Sequence, residues 1–398
     1  MPQALTHQMI AREAAKMLVE NNPVVKNINT DRKVEFGEEV NGYKKGNTVK
    51  IKIPPTPVVY DGEVFAGGGD APDAEETYVD LTLDTRKHVP LTFTSAEMSL
   101  ELSDFKERFL GPAMNALGAI INADLLKRMK NQTPNVIGTW GTVPSTRAIY
   151  RNASSRLDNF LAPSDKRSLH FSSDANDGLA EANATLFHSR EEIEAEFDKN
   201  AVGQFAEFTF YKQQSIPVHT NGAGTGYAIN GANQVGGLLV VDTGTGPISK
   251  GSIIVIDGVN AVHPLTGEDQ GKPRSFVVTA DFPGGAGSLA ISPAIVQNTP
   301  TKRGNVTALP ADGAAVTIFG TVSEGARQNL GFHRDAFAVG FAPLKVLTGC
   351  EGYTATIKGI SVRVMTFGDG YEDKENTRID VLYGEKDVRP DHAVRITE

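Results

Sequence analysis

The tripeptide His333-Arg334-Asp335, in "NLGFHRDAFAVGF", spells the H-R-D of a protein-kinase catalytic loop, where the aspartate accepts a proton from a substrate hydroxyl. That chemistry also needs a metal-binding asparagine at the position held here by Gly340. It needs a D-F-G downstream, where the chain has only the scrambled Phe367-Gly368-Asp369, and neither the glycine-rich loop nor the lysine-bearing strand is present. "GEDQGKPRS" sets Gly267 one residue too close to Gly271-Lys272 for a phosphate loop, and Pro273 stands where a magnesium-binding hydroxyl belongs. "GAGTGY", 222–227, lacks the third glycine of a dinucleotide fingerprint. Both read as turns. The histidines His7, His88, His170, His188, His219, His263, His333 and His392 show no metal-ligand spacing, and no serine lies in a G-x-S-x-G elbow. Glu372-Asp373 fall in a charged, solvated turn. Cys350 is the single cysteine, so an intramolecular disulfide or a cysteine metal cluster is excluded; with no histidine nearby it reads as an inert thiol. The residues ask for no catalytic, metal or cofactor site. His333-Arg334-Asp335 instead lies among Phe332, Ala336, Phe337, Ala338 and Val339, which argues for packing, with Arg334 and Asp335 as a structural ion pair.

The 398 residues are enough for about two or three domains. Forty glycines and 21 prolines favour a loop-rich, strand-containing chain over a helical bundle. With 39 basic against 48 acidic residues the net charge is -9, and no basic run exceeds a pair such as Lys44-Lys45, which argues against gripping nucleic-acid phosphates. The N-terminus reads as neither signal peptide nor membrane anchor, and no apolar run approaches the ~20 residues that span a bilayer. The expectation is a soluble protein made in the cytoplasm.

The elements that would position these residues change along the chain. Leu5, Met9, Ile10, Ala14, Met17 and Leu18 have helical spacing over 5–21, ending near Pro23. Val49, Ile51 and Ile53 alternate with Lys50 and Lys52, the period of a half-exposed strand. Its expected partner is "TYVDLTLDTRKHVPLTFTS", across the glycine-rich, acidic "AGGGDAPDAEE". A hairpin of that length has little core of its own and must lie against something else. Gly111-Pro112 opens an amphipathic helix with Met114, Leu117, Ile121 and Leu125 on one face; Lys127, Arg128 and Lys130 suit the negative end of its dipole. Further short helices are expected around 145–161 and 190–198, the latter a solvated run, "REEIEAEFDK". Residues 221–327, rich in Gly, Thr, Val and Ala, alternate as a small antiparallel barrel or sandwich would. Strand-like segments, "TATIKGISVRVMTF" and "NTRIDVLYGEKDVRPDHAVRIT", follow. The fold class is α+β with a complete β-domain inserted.

Several phrases, in order, resemble the major capsid proteins of tailed double-stranded DNA bacteriophages, nearest the P-twenty-two-type coat proteins. They include "GNTVKIKIPP", "YVDLTLDTRKHVPLTFTSAEMSLELSDFKERFLGPAMNAL", "AEFTFYKQQSIPVHTNG", "KGSIIVIDGVNAVHPLTG", "NLGFHRDAFAVGFAPL" and "RIDVLYGEKDVRPDHAVRI", covering about residue 35 to the end. The resemblance implies the Hong Kong ninety-seven capsid fold. It implies an N-terminal arm over 1–41, an extended hairpin loop over 42–96 that overlaps a neighbouring subunit, and a peripheral-domain spine helix over 97–134. It further implies the first part of an axial domain over 135–220, an inserted β-barrel over 221–327, and a return to the axial and peripheral domains over 328–398. The insertion of some relatives carries a long charged clasp; here 221–250 is short and mostly uncharged, which leaves "HPLTGEDQGKPR" as the charged loop to offer in its place.

The implied function is structural, not enzymatic: self-assembly into pentamers and hexamers of an icosahedral shell around packaged double-stranded DNA. The implied partners are further copies of the chain, a scaffolding protein, a portal protein at one vertex, decoration proteins, and DNA enclosed without sequence-specific binding; no membrane and no cofactor are implied. The location is the virion capsid, assembled in the bacterial cytoplasm. Candidate assembly contacts are Lys44, Lys45, Lys50 and Lys52, facing Glu75, Glu76 or Glu107 of neighbours. The residues alone also admit a β-rich binding or adhesin module, or an enzyme with a non-local site.

Overall fold

The protein is described by a computed structural model covering residues 7–30, 39–40, 43–44, 48–54, 58–59, 77–94, 106–183, 203–300, 302–369 and 374–398. Among the described residues, five α-helices run in chain order: α1 (His7–Glu20), α2 (Pro23–Asn27), α3 (Gly111–Gln132), α4 (Arg147–Asp158) and α5 (Ser173–Asn183). The chain divides into two units, the first from Met1–Ile51, Tyr78–Leu125 and Phe337–Val388, the second from Lys52–Thr77, Leu126–Ala336 and Arg389–Glu398.

In the first unit, Ile10, Ala11, Ala14, Ala15 and Leu18 recur at three- and four-residue steps. They form the buried stripe by which α1 packs on strands Glu351–Ile357 and Ile360–Asp369. Those strands belong to a five-stranded sheet whose hub is the 14-residue strand Lys374–Asp387. Three strands pair antiparallel with that hub: Ile360–Asp369, Phe337–Ala342 and Thr85–Thr94. Ile379, Val381 and Tyr383 alternate along the hub and are fully buried. The Tyr383 hydroxyl donates to Asp124 Oδ2 of α3 at 2.7 Å, tying the helix to the sheet.

The expected long hairpin divides. Thr48–Ile53 and Thr77–Thr82 do form a two-stranded sheet, with Ile51 and Leu81 buried against Ala338. Beyond Leu83-Asp84, however, Thr85–Thr94 leaves that ribbon and pairs over ten positions with Lys374–Asp387. Alternation marks both stretches as strands but carries no information about which partner each takes, and a sheet with a buried face wins over a bare ribbon.

In the second unit a seven-stranded sheet runs Asn135–Ile137, Ala393–Thr397, Gly325–His333, Arg167–Phe171, Phe208–Lys212, Gln204–Phe205, with Val218–Thr220 added on Gly325–His333. Tyr150, Ala153 and Leu157 of α4 and Ala175 and Leu179 of α5 join Leu169, Phe171, Phe208, Val394 and Ile396 in one core. The expected barrel is present: six strands between Tyr227 and Ile318 close on themselves around Leu239, Val241, Ile254, Ile256, Phe276 and Leu289. The helix expected around 145–161 is α4, α5 was not anticipated, and 190–198 lies outside the described residues. A π-helical turn, Lys106–Leu110, leads into α3, so a helical stretch Glu107–Gln132 is long and apolar enough to cross a membrane, contrary to the sequence expectation. Met114, Leu117, Ile121, Leu125, Leu126 and Met129 are buried in the fold, which accounts for that apolarity.

Candidate functional site

The charges expected to make assembly contacts are placed unevenly. Lys50 and Lys52 are exposed on Thr48–Ile53, while Val49 and Ile51 between them turn inward. Lys50 Nζ sits 4.3 Å from the centroid of the Tyr78 ring, a cation–π contact within the first unit. Glu107 is exposed on the π-helical turn. Lys44 ends the short strand Tyr43–Lys44, but its side chain lies outside the described residues, as do Lys45, Glu75 and Glu76. The His-Arg-Asp triplet forms a turn: His333 ends a strand and Arg334–Ala336 make one turn of 3-10 helix. His333 Nδ1 accepts from the Asp335 backbone N–H at 3.3 Å, and burial lowers the pKa of its imidazole. Among the described residues, no three His, Cys, Asp or Glu side chains converge as metal ligands would.

Two buried polar centres escaped the sequence reading. In the first unit Asp380 is fully buried and takes three guanidinium groups. Arg363 approaches Oδ2 with Nε at 3.2 Å and Nη2 at 2.6 Å; Arg378 Nε reaches Oδ1 at 2.8 Å; Arg86 gives Oδ1 Nε at 3.1 Å and Nη2 at 3.0 Å. Burial alone would raise the pKa of this carboxyl. The hydrogen bonds from Arg363 and Arg378 and the charges of Arg363 and Arg86 outweigh it and hold the pKa below the usual range. The cluster arises from sheet register, since Arg363 lies directly opposite Asp380 and Arg378 is two residues back on the same face.

The second unit pairs its buried Arg167 with Asp158 and Glu207, but it also has a centre that buries cations without such a counter-charge. Arg395, on Ala393–Thr397, is 1% exposed and donates to main-chain carbonyls: Nε and Nη2 to Thr133 O at 2.9 and 2.7 Å, Nη1 to Gly251 O at 2.8 Å. Thr133 follows the last residue of α3, so the guanidinium meets the negative end of that helix. Burial lowers its pKa to about 9. Close by, Lys130 Nζ lies 3.0 Å from His219 Nδ1, and His219 Nε2 lies 3.2 Å from Ser252 Oγ. Burial, then the charges of Arg395 and Lys127, bring Lys130 down to about 7; burial with Lys130 and Arg395 brings His219 to about 3. Lys130, expected to suit the negative end of the helix dipole, is 3% exposed and part of the core. Gly251 has φ +93, and a Cβ there would fall on Asn131 Oδ1, so this junction between helix, sheet and barrel requires glycine. Arg274, expected in a charged loop, is likewise buried, with Nη2 2.6 Å from Asp391 and its guanidinium over the Phe160 ring at 4.7 Å.

The sequence did carry a signal for several of these residues: one or two charges inside an apolar strand, as in "SVRVM", "RIDVL" and "HAVRIT". A charge so placed is either on an exposed edge or paired in the core.

These centres tie strand to strand and strand to helix end within each unit. No curated protein matches the chain. Among solved structures, one described as Mycobacterium phage Che8 is 12% identical, with 94% of this chain and 90% of that chain covered and a TM-score of 0.48. The capsid structure of the cyanophage P-SCSP1u is 10% identical, with 88% and 83% covered and a TM-score of 0.46. The capsid of Ralstonia phage GP4 is 8% identical, with 89% and 84% covered and a TM-score of 0.44. The sequence profile of the family described as "P22 coat protein - gene protein 5" matches residues 45–397, nearly the whole chain, and on that match the protein belongs to the P22 coat protein family and is a structural protein of a phage capsid.

Proposed function

We propose that the chain assembles into pentamers and hexamers of an icosahedral shell enclosing double-stranded DNA, and that it has no catalytic activity. Membership of the coat protein family over residues 45–397 carries this reading. Many weak, repeated contacts make a closed shell stable through multivalency. In this reading 1–41 is the N-terminal arm, 42–96 the extended loop reaching a neighbour, 97–134 the peripheral spine, 135–220 and 328–398 the axial and peripheral body, and 221–327 the inserted barrel. Lys44, Lys45, Lys50 and Lys52 face Glu75, Glu76 or Glu107 of neighbouring copies. A scaffolding protein, a portal at one vertex and decoration proteins complete the particle, assembled in the bacterial cytoplasm. A net charge of -9 suits a container that does not grip its DNA.

Size analysis and negative-stain microscopy of the purified chain, with and without a scaffolding partner, test the proposal. Closed shells are expected; discrete small species under every condition would refute it. Reversing Lys52 to Glu should lower shell yield and be rescued by Glu107→Lys if those two meet across copies.

A further inference from the structure

Within the first unit, a cavity of about 270 Å³ opens where α1 turns into α2 beside the hairpin turn Ile357-Lys358-Gly359-Ile360. Val19, Val25 and Ile360 form its apolar wall; Asn22, Lys26, Thr30 and Lys358 supply the polar groups. The two ionisable residues are both cations. At roughly 30 Å³ per water molecule the space equals about nine waters, more than a lone ion needs and enough for a carboxylate on a short aliphatic stem.

Two details suggest a ligand. Asn22 is 1% exposed, and its Oδ1 accepts from the Val25 backbone N–H at 3.4 Å, which fixes the orientation of the amide. Its Nδ2, shut off from solvent, has no hydrogen-bond partner. Native folds keep few buried donors in that state, and each calls for an explanation. Lys358, exposed at the hairpin turn, has φ +47, and Gly359 beside it has φ +88. Asn, Asp or Gly occupies such a turn at little cost, whereas lysine is disfavoured there. The turn therefore presents an ammonium group that its backbone geometry does not favour. Lys26 Nζ donates to Glu20 O at 3.0 Å, which holds the second ammonium beside the end of α1.

We propose that this cavity binds a carboxylate, its charge met by Lys26 and Lys358 and its stem lying on Val19, Val25 and Ile360, with a small shift of the Asn22 amide letting Nδ2 donate to one oxygen. A phosphate would also be met by Lys26 and Lys358, but its remaining oxygens would lie against the apolar wall of Val19, Val25 and Ile360. The carboxylate has two sources: a free small dicarboxylate, or an Asp or Glu side chain of a second copy, each copy carrying 48 acidic residues against 39 basic. The second source rests on the assembly reading; the first does not.

Calorimetric titration of the unassembled full-length chain with glutarate, against chloride at matched ionic strength, tests the site. The wild type should bind glutarate saturably. Lys358→Asn, which relaxes the turn while removing the charge, should weaken binding about fivefold. Asn22→Asp keeps an acceptor for Val25 but sets a negative charge beside the ligand, and should abolish binding. Equal heats from chloride, or affinity unchanged in both variants, would overturn the proposal. Repeating the titration on assembled particles separates the sources. Binding to the free chain alone assigns the pocket to a neighbour's carboxylate, and binding to both forms assigns it to a free ligand. A chain that never assembles would defeat the coat reading, while the free-chain titration would still decide the site.

Discussion

Two centres, one in each unit, bury charge in opposite ways. Around Asp380 one carboxylate is shared by three guanidinium groups, and every oxygen lone pair has a strong, charge-assisted donor. Around Arg395 the cations Arg395 and Lys130 and the imidazole of His219 rest on carbonyls, a hydroxyl and a helix end. The first arrangement is a paired charge whose loss orphans its partners. The second is a set of dipoles that tolerates a charge, with burial pressing each basic group toward its neutral form. The lesson is that a strand can bury an ionised residue either by register against an opposite charge or by placement at the end of a helix. The two solutions should fail differently.

The largest effect is expected at Asp380. Asp380→Asn leaves Arg363, 3% exposed at its side chain, without a counter-ion, and should destabilise the first unit by about 3–5 kcal/mol, read as a shift in the denaturation midpoint. Arg86, 42% exposed, is the control: Arg86→Met should cost no more than about 1 kcal/mol. Equal losses from the two variants would mean that the cluster acts through packing and not through the compensated charge.

Arg395→Met should cost less, about 2–3 kcal/mol, because what it strands are the carbonyls of Thr133 and Gly251 and not an ion. Arg395→Lys should not rescue it, since an ammonium lacks the planar fork that spans both carbonyls. If lysine restored full stability, charge at the helix end would be the whole of the interaction.

The barrel, the apolar faces of α1 and α3, and the edge ribbon were legible because each is a local period in the sequence. Partner choice was not. "TRKHVPLTFT" reads equally well as the return arm of a hairpin or as a strand on "KENTRIDVLYGEKD", and only the burial of a common face decides. The polar centres were hidden for the same reason. Arg363 and Asp380 stand 17 residues apart, and Arg395 and Gly251 144 apart, so no spacing rule joins them. The charges proposed for assembly were legible only as residue types.

Acid should separate the two units in time and place. His170 is fully buried, stacked between Tyr211 and Phe332, and burial lowers it to about 3; His219 is lowered to about 3 and His392 to about 4. A base with a depressed folded pKa is neutral in the fold and charged in the unfolded chain between the two values, so protons favour unfolding there. The stability these histidines contribute is complete above the ordinary value of about 6.5 and drains as pH falls toward 3–4. Asp380 is lowered too, but its contribution is lost only below the ordinary carboxylate value of about 3.9. Hydrogen exchange followed by mass spectrometry at descending pH should therefore show Arg167–Phe171 and Gly325–His333 opening before Ile360–Asp369. The reverse order would break the comparison.

The smallest effect, and the sharpest in sign, concerns Lys130. Its folded value of about 7 lies below the ordinary value of about 10.4, so its contribution is full only above the latter and is lost as pH falls through 7. The second unit should gain stability between pH 7 and 9, and the first should not. Lys130→Met removes the titrating amine at the cost of one donor to His219 Nδ1, a net change of about 1 kcal/mol or less near neutrality. The variant's melting temperature should be flat across that alkaline range where the wild type's rises. A wild type that is already flat would place a counter-charge beside Lys130 and make the two centres alike after all.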